Sequence, residues 1–130
     1  MNNVELKFYD DTHKFFFYSC MSINDTSIED RERVSLFYLL GLNQTTRENI
    51  RNIYDFDIDQ IILEAPSAPF QTNGSRAITL LAFNLYNNYN EDNPTILETF
   101  CSQDFDLVPY VMVGILLRLG MQKPAHSLCE

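Results

Sequence analysis

The segment whose residue types best fit ligand chemistry is Gln71-Thr72-Asn73-Gly74-Ser75-Arg76. Asn-Gly is a strong turn signal and Ser75 is a natural N-cap, so we expect a helix to begin there. Backbone N–H groups at such a start can bind an anion, which Arg76 would help to hold. Arg47 and Arg51, one helical turn apart, would add positive charge if their helix packs nearby. The simpler interpretation is a turn that fixes chain direction, since the phosphate-loop pattern of spaced glycines and Lys-Ser/Thr is missing.

Two other polar groupings resemble metal sites. Asp55-x-Asp57-x-Asp59 has the spacing of a calcium loop, but Gln60 stands where glycine is required and Pro66 where a bidentate glutamate is required. A solvated acidic turn is therefore expected there.

Asp10, Asp11 and His13 form the second grouping, a carboxylate–histidine set near a helix start. Helix capping and the helix dipole explain the two aspartates without a metal. The three cysteines, an odd number with wide spacing and no CxxC pair, indicate reduced thiols rather than a zinc site or disulfides. We expect no metal and no cofactor.

Motifs for nucleophilic catalysis are missing from the sequence. There is no Gly-x-Ser-x-Gly elbow, Ser75 beside Gly74 does not form one, and Cys101 lies in an apolar helical segment. Asn84, on a mostly apolar helix, is expected to make a hydrogen bond between helices or to a loop. A site formed by Asn84 with Gln71 is the alternative. We predict a protein that is not an enzyme.

Charge narrows the classes of partner. The chain has 18 acidic and 9 basic residues and a formal net charge of −9. Phosphate backbones repel such a chain, so direct nucleic-acid binding is not expected. An acidic surface can instead occupy a basic groove made for nucleic acid, while solubility alone is the alternative. The best candidates for partner contact are two acidic clusters: Asp25, Glu29, Asp30 and Glu32, and Asp55, Asp57 and Asp59.

Hydrophobic periodicity predicts a mainly α fold, a compact bundle of five or six short helices with room for one small β-hairpin. Expected helices span His13–Met21, 29–40, 45–54, 75–86 and 94–101, with a last helix introduced by Asp106 and Pro109 that ends at Gly120. Capping boxes are expected at Ser27-x-x-Asp30 and Thr45-x-x-Glu48, and a left-handed C-cap at Gly41. Glu29 and Arg33 are expected to pair across one turn.

The length of 130 residues predicts a single domain over 1–130. Residues 1–8 are expected to form an extended arm or a strand that pairs with residues near 60, and residues 122–130 a loose tail. The longest apolar stretch, 107–117, contains Pro109 and Gly114 and is too short to span a bilayer, so it predicts a buried helix. Without a secretion signal at the N-terminus, we expect a cytoplasmic protein.

Two segments carry a family resemblance. The first is 35–42 followed by Thr46-Arg47 and 53–56, and the second is 70–75 followed by 81–87. Together they resemble an uncharacterised family of small bacterial proteins, a domain of unknown function frequent in Gram-positive genomes and in their phages and mobile elements. The resemblance covers residues 8–118. The chain departs from the family pattern at Phe70, where tryptophan is usual, at 64–67, where Lys-Pro-Glu-Gly is common, and at Leu80, where arginine is usual.

The resemblance implies a genomic setting and no known activity. With the acidity and the missing catalytic motifs, it predicts a protein-binding module of phage or mobile-element origin that acts in the cytoplasm of a bacterial host. The concrete version is an acidic inhibitor of a host nucleic-acid defence nuclease, in the manner of anti-CRISPR proteins. Its partner would be a host protein with a basic groove, neither nucleic acid nor membrane. The alternative is a small anion- or nucleotide-binding domain centred on residues 71–76. The oligomeric state stays open.

Overall fold

A computed structural model describes residues 6–89 and 95–125 of the chain. The described part contains six α-helices and one two-stranded antiparallel sheet, which confirms the mainly α fold with a small hairpin. The elements are α1 (Asp11–Ile23), α2 (Arg31–Leu40), α3 (Gln44–Glu48), β1 (Tyr54–Asp55), β2 (Gln60–Ile61), α4 (Asn73–Asn87), α5 (Ile96–Cys101) and α6 (Val108–Arg118). Short 3₁₀ turns lie at Ile50–Asn52, Ala65–Ser67 and Phe105–Leu107.

Helix α2 is the centre of the packing. Its residues 34–40 are all buried, and α1, α4 and α6 pack around it. The approach of α6 is especially close, since a Cβ atom at Gly114 would overlap the Leu39 side chain. The Ser35 hydroxyl donates to the Gly114 carbonyl at 3.0 Å. The segment 34–40 of α2 is apolar on nearly all sides, the pattern of a helix that lies inside a fold.

The start of α1 agrees with the predicted capping. The Asp10 carboxylate accepts the His13 N–H at 2.8 Å. The imidazole of His13 is fully buried, accepts the Tyr9 N–H at Nδ1 (3.0 Å) and donates from Nε2 to the Tyr38 carbonyl (2.8 Å). Burial lowers the pKa of His13 to about 4, so the ring is neutral. Among the described residues, no three Asp, Glu, His or Cys side chains gather as a metal site.

The predicted cap of α2 is wrong by three residues. Asp30, not Ser27, is the N-cap, and its carboxylate accepts the Arg33 N–H at 3.1 Å. A cap must directly precede the first helical residue, and the chain enters the helix only at Arg31. Gly41 has φ −76°, a right-handed conformation, so the expected left-handed C-cap is also wrong.

Two further helix starts lie slightly earlier than predicted. Asn43 caps α3 in place of Thr45, and Thr72 caps α4 in place of Ser75. In α4 the Thr72 hydroxyl accepts the Ser75 N–H at 3.1 Å, and the Ser75 hydroxyl accepts the Thr72 N–H at 2.8 Å. This reciprocal pair is a capping box in which serine replaces the usual glutamate. Helix α3 ends at Glu48 instead of 54, because the following residues turn into β1.

The hairpin does not involve the N-terminal arm. Strand β1 pairs with β2, with Tyr54 opposite Ile61 and Asp55 opposite Gln60. A four-residue connection closes more easily than a pairing between distant segments, which explains the local choice. Residues 6–8 of the predicted arm form no strand, and residues 1–5 lie outside the described residues.

Near the C-terminus, part of the predicted tail is in contact with the rest of the fold. The Lys123 ammonium lies 2.9 Å from the Glu29 carboxylate, and the Tyr18 hydroxyl donates to the Ala125 carbonyl at 3.0 Å. Residues 126–130 and Pro94, the predicted first residue of α5, lie outside the described ranges, and Thr95 caps that helix. The predicted buried helix is α6, but only one side of it is buried.

Candidate partner-binding surface

The two acidic clusters predicted from the sequence meet at the end of α1. The amide of Asn24 donates to the Phe56 carbonyl at 2.9 Å and to the Asp59 carboxylate at 3.2 Å. These bonds fix the β1–β2 turn against α1, although 35 residues separate Asn24 from Asp59. Asp25 and Asp57 are each next in sequence to a residue of these contacts, so both belong to the junction between α1 and the turn.

Arg33 binds the two clusters together. Its guanidinium lies 3.0 Å from the Asp30 carboxylate, donates from Nη2 to the Asp59 carbonyl at 2.7 Å, and donates from Nε to the Tyr54 hydroxyl at 2.8 Å. The guanidinium carbon also lies 5.6 Å from the centre of the Tyr86 ring. Because the planar guanidinium has five N–H donors, it can satisfy several acceptors at once.

This role of Arg33 was not predicted from the sequence. The expected pairing of Glu29 with Arg33 is not formed, since Arg33 pairs with Asp30 and Glu29 pairs with Lys123. The available signal was the position of Arg33 directly before the run of buried residues in α2. A long cation at that boundary can reach across the end of a helix to a neighbouring element.

Asp59 is held ionised by its neighbours. Burial acts to raise the pKa of Asp59, but hydrogen bonds from Tyr54 and Asn24 and the charge of Arg33 outweigh it and hold the pKa below its usual value. The Tyr54 hydroxyl donates to Asp59 Oδ1 at 2.5 Å, and burial together with this bond raises the pKa of Tyr54. Asp59 has φ +57°, a left-handed conformation that tolerates aspartate better than most side chains.

The tip of the hairpin points into solvent. The Asp55 carboxylate accepts the N–H of Asp57 at 2.9 Å and that of Ile58 at 3.4 Å, which shapes the turn. Asp57 is exposed, and its carboxylate has no partner among the described residues. Ile58 is 67% exposed. The turn thus presents one apolar side chain between two aspartates.

The predicted acids divide into two groups. Glu29 faces Lys123, and Glu32 lies 3.8 Å from Arg118 of α6, so bases of the C-terminal segment face both. The others belong to the surface around the Asn24 and Arg33 contacts, where Arg33 pairs with Asp30 and Asp59 and Arg51 lies over the Phe56 ring. We call this surface the acidic face; its residues are Asp25, Asp30, Asp55, Asp57, Ile58 and Asp59.

At the 71–76 turn the polar groups bond to one another. The Gln71 amide donates to the Ala65 carbonyl at 3.1 Å and to the Thr79 hydroxyl at 3.2 Å. The buried Ser75 hydroxyl donates to the side-chain oxygen Oε1 of Gln71 at 2.6 Å. The turn is therefore a closed network that ties the start of α4 to the preceding 3₁₀ turn.

Gln103 and Ser102 cover this turn, whereas Arg47 and Arg51 have partners in other parts of the fold. The Gln103 amide donates to the Gly74 carbonyl at 3.0 Å, and a Cβ at Gly74 would lie 3.1 Å from the Ser102 carbonyl. Arg47 donates to the Gly41 carbonyl at 2.8 Å, and Arg51 lies over the Phe56 ring at 5.4 Å.

Arg76 and Asn84 lie toward opposite ends of α4. Arg76 is half-buried in the first turn of α4. Asn84 lies near the other end of that helix from Gln71 and donates to the Tyr89 carbonyl at 3.0 Å, a bond that fixes the following loop. The structure therefore does not bring Asn84 and Gln71 together.

A shallow pocket of about 290 Å³ lies between the starts of α1 and α3. Its lining includes Asp10, Asn43, Arg47 and Asp104. The first two cap helices and Arg47 binds the Gly41 carbonyl, so these polar groups already serve the fold.

None of the helices within the described ranges combines the length and the apolarity that crossing a bilayer requires. Comparison with curated proteins finds no match, and comparison with solved structures finds none either. The model of a family of unknown function (DUF6075) matches residues 3–127. The match extends beyond the 8–118 range of the resemblance, while the bacterial and phage setting stays a prediction. The chain belongs to DUF6075, a family of unknown function, and this confirms the kind of family that its sequence resembles.

Proposed function

We propose that this protein is a non-enzymatic binding module whose acidic face engages a basic groove on another protein. The observation that carries the proposal is the junction at Asn24 and Arg33, which joins two distant acidic segments and leaves Ile58, next to Asp59, exposed. Interfaces with strong electrostatic complementarity associate quickly and select their partners by charge. An apolar side chain inside a polar rim is the usual arrangement of an energetic anchor.

The concrete form of the proposal is an inhibitor of a host nucleic-acid defence nuclease, similar in action to anti-CRISPR proteins. A nuclease groove carries positive charge to hold phosphates, and the acidic face offers carboxylates in their place. The phage or mobile-element origin and the site of action in the bacterial cytoplasm belong to this proposal and rest on the family resemblance.

The test is a competition experiment with purified candidate nucleases. The protein is titrated into each nuclease with and without its nucleic-acid substrate, at several salt concentrations. We expect binding that competes with nucleic acid and that weakens as salt rises, because salt screens exposed charges. Asp57→Asn combined with Ile58→Ser should weaken binding at least tenfold.

The matched control is Asp104→Asn, which removes the same charge from an exposed aspartate outside the acidic face. Its affinity should stay close to that of the natural chain. Binding that is insensitive to salt, or that both variants weaken equally, would contradict the proposal.

The alternative, an anion- or nucleotide-binding domain at residues 71–76, has less support because Gln71, Thr72 and Ser75 use their polar groups on each other. A thermal-shift titration with inorganic phosphate and nucleotides tests it. Stabilisation at millimolar ligand that disappears in Arg76→Gln would favour this alternative.

A further inference from the structure

Helix α6 and the 3₁₀ turn before it present a continuous apolar stripe. Met112 and Leu119 are spaced by seven residues, which places them on the same side of α6, and Phe105 lies in the 3₁₀ turn directly before the helix. The positions that adjoin Met112 and Leu119 along this side of the helix are apolar as well. We call the set the α6 stripe; its members are Phe105, Val108, Pro109, Met112, Ile115, Leu116 and Leu119.

The stripe faces solvent. Phe105 is 94% exposed, Met112 55% and Leu119 60%. The opposite side of the helix is buried against α2 through Val111, Gly114 and neighbouring residues. Surface helices ordinarily carry polar residues on their outer side, and a helix that is apolar all round normally has a neighbour on each side. Helix α6 has the composition of a helix covered on both sides, while its outer side remains uncovered by the described residues.

Asp104 and Asp106 flank Phe105 at the N-terminal end of the stripe, but the helical part of the stripe has no acidic residue. Residues 107–121 include one charged residue, Arg118. Its guanidinium donates to the Leu85 carbonyl at 2.5 Å and lies 3.8 Å from Glu32, so it is directed to α4 and α2. In a chain of net charge −9, the helical part of this stripe is a surface on which two equally charged molecules can meet with little direct repulsion.

We propose that two copies of this chain associate through their α6 stripes, with the two helices packed against each other across a twofold axis. A twofold interface pairs one patch with itself, and an uncharged apolar stripe is self-complementary. The stripe has seven members, against roughly 20–30 residues on each side of a standard interface, so the dimer is expected to be weak.

A second copy fits the stripe better than a lipid surface does. Helices that lie on membranes flank their apolar side with lysines and arginines, which hold the anionic headgroups. Helix α6 offers Arg118 alone, and its guanidinium is already bound within the fold. The net negative charge of the chain also repels an anionic bilayer.

Sedimentation velocity over a concentration series from about 1 µM to about 500 µM, at low and at high salt, tests the proposal. We expect a monomer–dimer equilibrium that shifts toward dimer as salt rises, because salt screens the repulsion between two acidic chains. Met112→Glu places a charge at the centre of the stripe and should weaken dimerisation at least tenfold. Leu119→Glu should do the same.

Ile58→Glu is the matched control, since it adds the same charge to an exposed apolar residue on the acidic face and should leave the dimer intact. Thermal melts of all three variants establish that each is folded. A natural chain that stays monomeric at the highest concentration, or a dimer that Met112→Glu and Ile58→Glu weaken equally, would overturn the proposal. So would a monomer that binds neutral phosphatidylcholine vesicles and loses that binding in Met112→Glu. Partner binding by the acidic face has the opposite salt dependence, so the two proposals fail separately.

Discussion

The acidic face and the start of α4 are both polar networks, and both were candidate sites from the sequence. They differ in how far apart in sequence the bonded residues are. Asn24 and Arg33 connect residues up to 35 positions apart and use charged groups. The bonds of Gln71 and Ser75 stay within eight positions and involve neutral groups. The long-range network supports a surface because its own bonds leave Asp57 and Ile58 outside, whereas the local network turns its groups inward and serves the helix start.

The largest loss of stability is expected when Arg33 is removed from the acidic face. Arg33→Met leaves two carboxylates and the Tyr54 hydroxyl without their shared donor. We expect the free energy of unfolding to fall by about 2.5 kcal/mol, less than for a fully buried pair because Asp59 is partly exposed. Urea denaturation measures the change. Arg51→Met, which removes an exposed guanidinium over the Phe56 ring, is the control and should cost less than about 1 kcal/mol.

The dependence of stability on pH should come mainly from His13, a buried polar group outside both networks. Its pKa is about 4 in the folded protein and about 6.5 in the unfolded chain, so below pH 6.5 the unfolded state binds the proton first. Stability should therefore fall by about 2 kcal/mol from pH 7 to pH 5, and the loss should end near the folded pKa. Urea denaturation at both pH values measures it. An imidazole of His13 that titrates near pH 6 by NMR would contradict this prediction.

The start of α4 should be less sensitive than the acidic face. Ser75→Ala removes the hydroxyl that joins Thr72 and Gln71, and we expect a loss of about 1.5 kcal/mol in unfolding free energy. Ser22→Ala, which removes an exposed hydroxyl bonded within its own helix, should change stability by less than about 0.5 kcal/mol. A larger loss in Ser75→Ala than in Arg33→Met would reverse the comparison.

The smallest effect on stability is expected at the solvent side of the acidic face. The Asp57 carboxylate has no hydrogen-bond partner among the described residues. The unfolding free energy of Asp57→Asn should therefore stay within about 0.5 kcal/mol of that of the natural chain. A thermal melt measures this. A clear destabilisation would mean that Asp57 supports the fold rather than a partner contact.

The sequence predicted the elements better than the contacts between them. The stripe of α4, the cap at Asp10 and the strand near residue 60 follow from periodicity and capping chemistry, which are local. The partner of that strand and the role of Arg33 depend on which segments meet in space, and spacing along the chain does not encode this. For the same reason Glu29 was paired with Arg33, its neighbour by helical spacing, while the fold places Lys123 beside it.

The contact between Gly114 and Leu39 links α6 rigidly to α2, and α2 begins at the Asp30 and Arg33 pair. A dimer built on the α6 stripe would then hold two acidic faces at a fixed separation. Such a molecule is bivalent, and a partner that is itself twofold would bind the second face at a high effective concentration. Gly114→Ala would force Leu39 and α6 to shift relative to each other, so it should lower avidity more than the affinity of a single face.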